Sequence, residues 1–181
     1  MAGALFLVGT AVTIVTDRWI IGPGTTAPVN GYRFPLFDFN RRVDFGDNGN
    51  LFAFVEGWDN PEARAVWSLQ NKATIAFRLP DGQPMSDASE LRLHLNAYLA
   101  PPGPMVQHLS VWMGATELAA AVITTSDAEV TIPLKGVSLP RDPTPIILTF
   151  KMPDAVSRHD LEGRGSRQRL SIGLLSLEIT R

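Results

Sequence analysis

LRLHLNAY, Leu91 to Tyr98, alternates strictly: Leu91, Leu93, Leu95 and Ala97 fall on one side, and Arg92, His94, Asn96 and Tyr98 on the other. Successive side chains of a strand point to opposite faces, so this stretch reads as a half-buried β-strand with an apolar inner face. Its polar face, with His94 and Tyr98, is a candidate ligand surface. The same period recurs to either side. Ala73, Ile75, Phe77 and Leu79 alternate with Thr74, Ala76 and Arg78 until a Pro-Asp-Gly turn at 80–82 stops the run. Further strands are read at 106–113, 119–124, 129–134, 146–151 and 170–180, the last setting Leu175, Leu177 and Ile179 against Ser176, Glu178 and Thr180. Upstream, Phe37, Phe39, Val43 and Phe45 form a strand into the turn GDNGN at 46–50, and a short strand at 51–55 follows. Single helical turns fit 86–90 and 154–161. About nine strands separated by Pro and Gly turns predict an all-β fold, an antiparallel β-sandwich or jelly roll.

Composition agrees with that reading. A chain of 181 residues is long enough for one domain with a sizeable core. The 15 Gly and 14 Pro are spread along it, as many short strands with frequent turns require. With 45% hydrophobic residues, 19% charged and a net charge of −2, the chain is neither a disordered tail nor a nucleic-acid binder. It contains no cysteine, which excludes disulfides and thiolate metal sites and leaves the redox compartment open.

Between the strands at 51–55 and 72–79 lies GWDNPEARAVWS, Gly57 to Ser68, with two tryptophans nine residues apart around a Pro-Glu pair. Tryptophan buries a large surface and needs a partner for its indole N–H. Trp58 and Trp67 are therefore either core anchors of a turn or an aromatic platform for sugar rings, and the sequence fits both.

This box resembles the G-W-S-x-P-E-x-x-G-x-W-[ST] signature of extracytoplasmic β-sandwich domains that follow the membrane helices of bacterial glycosyltransferase-like and polysaccharide-biosynthesis proteins. Gly57, Trp58, Pro61, Glu62, Trp67 and Ser68 match it. YRFPLFDFNRRVDFGDNGN, residues 32–50, and SRQRLSIGLLSLEI, residues 166–179, are similar to two further motifs of that family. The chain departs from the pattern at Asp59, Ala65, Arg167 and Ser171, which stand where the family has Ser, Gly, Asp and Gly. The resemblance implies a β-sandwich outside the cytoplasm that binds glycan or supports glycan assembly. It also places Glu62 and Arg169 in the two motifs, where a buried carboxylate would find a guanidinium partner; Glu62 accepting sugar hydroxyls is the alternative.

The N-terminal residues are of a different character. Ala2 to Thr16 carry no charge, and Trp19, Ile20 and Ile21 follow directly behind Asp17 and Arg18. Residues 1–21 are read as a hydrophobic segment that spans or associates with the membrane, touching lipid through residues 2–21. No basic n-region precedes it, so a retained anchor fits better than a cleaved leader. The β-branched run Val8, Val12, Thr13, Ile14 and Val15 fits a buried strand as the alternative. Residues 22–31 then form a Gly/Pro-rich linker and residues 32–181 the sandwich domain.

Catalytic and metal motifs are missing from the sequence. His94, His108 and His159 stand alone without zinc-binding spacing, and no nucleophile elbow or phosphate loop occurs. Asp44, Asp47, Asn48 and Asn50 read as a hairpin turn in preference to a calcium loop, and Arg158, Arg164, Arg167 and Arg169 as a solvated basic segment in preference to a contact for lipid phosphate or acidic glycan. The expectation is a non-catalytic, membrane-anchored, periplasmic or otherwise extracytoplasmic module without a cofactor. Its candidate ligand residues are Trp58, Glu62, Trp67, His94, Tyr98 and Arg169, forming a shallow site for a neutral or acidic saccharide. The alternative is an accessory subunit whose N-terminal helix packs into a larger membrane-protein partner.

Overall fold

In the computed structural model of the protein, the described residues are 28–29, 32–47, 49–99, 101, 103–139 and 145–181. The membrane segment read at 1–21 and most of the linker lie outside them. Among the described residues no helix is long and apolar enough to cross a membrane.

The strands, in chain order, are β1 (Pro28–Val29), β2 (Tyr32–Arg33), β3 (Val43–Asp44), β4 (Phe54–Glu56), β5 (Val66–Trp67), β6 (Lys72–Phe77) and β7 (Glu90–Ala97). They continue with β8 (Gln107–Met113), β9 (Thr116–Ile123), β10 (Asp127–Pro133), β11 (Ile146–Lys151), β12 (Val156–Ser157), β13 (Arg169–Leu170) and β14 (Ile172–Thr180). One five-stranded sheet runs β10-β7-β14-β3 with β5 also paired to β14, and a second runs β4-β6-β11-β8-β9. All these ladders are antiparallel. β1–β2 and β12–β13 are separate two-stranded ladders.

The expected alternation sets the core. Leu91, Leu93 and Leu95 of β7 are buried together with Ile75 and Phe77 of β6, Val111 of β8, and Leu148 and Phe150 of β11, in one hydrophobic cluster fed by both sheets. Each such aliphatic or aromatic side chain contributes about 1.5–3 kcal/mol by leaving water. The fold is thus two antiparallel sheets closed over a shared apolar layer, as the alternating strands require.

Three local expectations change. The strand from Phe37 to Phe45 is interrupted: Asn40 sits at φ 57°, a left-handed conformation that Asn tolerates, and only Val43–Asp44 pairs with β14. The strand expected at 51–55 begins as a 3-10 turn, Leu51–Ala53, so that β4 starts only at Phe54. In the last strand the register against β7 shifts between Leu174 and Ser176. Ile172 and Leu174 therefore share the core with Leu177 and Ile179, whereas Leu175 is buried outside that cluster. A bulge moves every residue beyond it to the other face, which simple alternation does not foresee.

The turns read near 86 and 158 exist as a 3-10 turn, Met85–Asp87, and a short helix, Arg158–Glu162. Ser157 caps that helix reciprocally with Asp160, and Gly163 ends it at φ 70°.

Candidate functional site

The tryptophan box folds back on itself as a hairpin. Trp58 bridges Ser68, the Asp59 amide donates to the Trp67 carbonyl at 2.8 Å, and Leu69 donates to Gly57 at 2.8 Å. The tip is closed by the Glu62 amide donating to the Ala65 carbonyl at 2.9 Å. Gly57 is required at its base: φ is +76°, and an added Cβ would collide with the Lys72 carbonyl oxygen.

This pairing separates the two indoles. Cross-strand partners share a face, so Trp58 and Ser68 turn inward, while the neighbouring pair Asp59 and Trp67 turns outward. Trp58 is 3% exposed, edge-on to Phe54 and Phe150, and donates its N–H to the Thr74 carbonyl at 2.9 Å. It is a core residue with its only donor satisfied, which removes it from the ligand-binding set.

Trp67 is half-buried. It pairs with Gly173 of β14, where a built Cβ would lie 3.1 Å from both ring-fusion carbons, so the Gly173 position sits under one face of the indole. Its N–H donates to Glu62 Oε2 at 3.1 Å. Seated below and tied at its edge, the ring lines a groove of about 640 Å³ together with Glu62, Asp59, Tyr98 and Gln168.

The far wall comes from the segment after β12. Arg158 and Glu162, one turn apart on the short helix, form a 3.2 Å ion pair and line the groove with Leu161 and Leu170. Gln168 Nε2 donates to Asp59 Oδ2 and links this wall to the box. Tyr98 is fixed through its backbone: its amide donates to the Ser171 carbonyl at 2.7 Å, and its carbonyl accepts from the buried Gln107 side chain at 2.9 Å. Gln107 in turn accepts from the Ser171 hydroxyl, so Ser171 anchors a buried polar link behind Tyr98.

The groove thus gathers Glu62, Trp67 and Tyr98 of the residues singled out in the sequence. His94 lies elsewhere on the outer face of β7, with Nε2 2.6 Å from Asp127 and Nδ1 3.3 Å from Arg42. The expected Glu62–Arg169 pair does not form. Glu62 holds Trp67 instead, and Arg169 lies 3.4 Å from Asp160, both side chains being solvent-exposed. Asp59 and Gln168 belong to the site, although nothing in their spacing announces it, because 109 residues separate them.

Two carboxylates beside this region are held below their ordinary range. Asp160 is stabilised as the anion by the Ser157 hydroxyl first and the Ser157 amide second, through the helix cap. Glu56 is stabilised by its hydrogen bond from Lys72, at 2.7 Å. Among the described residues no cluster of three His, Asp or Glu side chains converges as a metal-ligand set.

No protein-family model matches the sequence. No curated protein matches it. Among solved structures it is similar to the Agl-KA catalytic domain, with 11% identity and a TM-score of 0.43 over 77% of this chain and 27% of that one. It is similar to CBM51 from Clostridium perfringens GH95, solved in complex with methyl-galactose, at 13% identity and a TM-score of 0.32 over 84% of this chain and 85% of that one. The CBM51-2 and INT domains of Clostridium perfringens ZmpB give 11% identity and a TM-score of 0.36, over 88% of this chain and 29% of that one.

Proposed function

We propose that this protein is a non-catalytic glycan-binding β-sandwich whose site is the groove over Trp67, held on the outer side of a membrane by residues 2–21. The observation that carries the reading is the treatment of Trp67: the ring is half-buried in a groove wall, backed by Gly173 and fixed at its N–H by Glu62. A rigid aromatic bordered by a carboxylate, a carboxamide and a tyrosine is suited to a sugar, which offers an apolar C–H face and a rim of hydroxyls. Shallow stacking of this sort gives weak affinity, so a glycan array or titration belongs at high ligand concentration. Loss of binding in Trp67→Ala with the fold intact supports the module. Unaltered binding in that variant contradicts it.

A second reading, an accessory subunit of a membrane-protein complex, draws on the opposite sheet. Val122 and Ile147 stand 59% and 44% exposed on its outer face. Co-purification from membranes that survives Trp67→Ala and fails in Val122→Glu favours that reading.

A further inference from the structure

A second depression of about 500 Å³ adjoins the Trp67 groove, and Gln168 stands in the walls of both. Its lining is of a different chemistry: Arg167 and Arg169 with the side-chain amides of Gln70 and Asn71. The arginines of this segment are not equivalent. Arg158 and Arg164 share the single carboxylate of Glu162, and Arg169 lies against Asp160, so each of these three has an acidic neighbour. Arg167 has no carboxylate partner among the described residues, so the second depression carries an unpartnered cation, while the Trp67 groove is lined by Asp59, Glu62 and the Arg158–Glu162 pair.

We propose that the saccharide site continues over Gln168 onto this cationic shelf, and that the ligand is an acidic oligosaccharide: one ring rests on Trp67 and the carboxylate of the neighbouring sugar meets Arg167. The inference rests on the glycan reading of the Trp67 groove and adds the ligand's charge. Gln168 is the saddle between the two parts, its amide oriented by Asp59, where it offers hydrogen bonds to the hydroxyls near the glycosidic link. Arg167 supplies a planar fork matched to a carboxylate, with Gln70 and Asn71 beside it for the remaining oxygens. Because the shelf is open to solvent, its contribution is modest and screened by salt.

The test uses the full-length chain and a panel of uronic-acid-containing oligosaccharides, each paired with its carboxyl-reduced neutral form. At low salt the acidic member binds about five-fold more tightly than its reduced partner, and the preference shrinks as salt is raised. Arg167→Gln abolishes the preference by weakening the acidic member's binding more than that of the reduced form, with the fold monitored by near-ultraviolet circular dichroism. Equal affinity of wild type for both members, with binding still lost in Trp67→Ala, overturns the acidic extension and leaves the aromatic site standing. Absence of binding to either member removes both.

Discussion

Trp67 donates its indole N–H to Glu62 across the tip of the box hairpin, at 3.1 Å. Glu62, one of the carboxylates that line the groove, is therefore a positioning residue for the aromatic ring. Removing its carboxylate with Glu62→Ala frees the ring to rotate. We expect saccharide affinity to fall several-fold while stability drops by only about 1 kcal/mol, the net value of one hydrogen bond near the surface. Glu62→Gln retains an acceptor and most of the affinity. Parallel ligand titrations and urea melts check both statements.

Trp58 separates from Trp67 in the opposite sense. It is buried against Phe54 and Phe150 with its N–H on the Thr74 carbonyl. Trp58→Ala is expected to cost about 3–5 kcal/mol, visible as a large fall in the denaturation midpoint. Trp58→Phe fills most of the space but strands a carbonyl, and should lose less.

Gly173 lies under the Trp67 ring, with an added Cβ 3.1 Å from both ring-fusion carbons. Gly173→Ala must push the indole toward the groove, and the ring, open on that side, can give. The expected result is a folded protein with weakened saccharide binding. A loss of fold equal to that of Trp58→Ala would show instead that Trp67 is rigidly locked.

The cap of the short helix predicts a pH response. Asp160 titrates below its ordinary value because Ser157 favours its anion, so its folded pKa is lower than its unfolded one. Such a group stabilises the fold above the unfolded carboxylate pKa, and the contribution disappears as pH falls through the folded one. The helix wall of the groove, with Arg158 and Glu162, should loosen only in acid. An NMR titration of Asp160 is expected to give a midpoint below that of an unstructured aspartate, and Ser157→Ala to raise it.

Much of the sandwich was legible in the chain. Period-two alternation identifies β7 and β6, and turn residues bound them, because a half-buried strand leaves no other place for Leu91, Leu93 and Leu95. The register of β14 was not legible: its shift at Leu175 depends on pairing with β7, a relation between distant segments. The candidate site divides in the same way. The box was visible as turn chemistry with two anchors, but which indole faces the core is decided by the Trp58–Ser68 bridge. Glu62 was visible and its partner was not, since the hairpin brings Trp67 to it while Asp160 stands beside Arg169. Gln168 became part of the site only through its bond to Asp59.

In the proposed glycan-binding module the open aromatic at Trp67, and not the buried one at Trp58, meets the ligand. The indole N–H resonances of these two tryptophans in a ¹H–¹⁵N spectrum report on it directly during titration with oligosaccharides to high concentration. The Trp67 signal is expected to move in a saturable manner while that of Trp58 stays in place, and Trp67→Ala is expected to abolish the remaining spectral changes. A Trp67 signal unmoved by every saccharide, or saccharide binding that persists unchanged in Trp67→Ala, would contradict it.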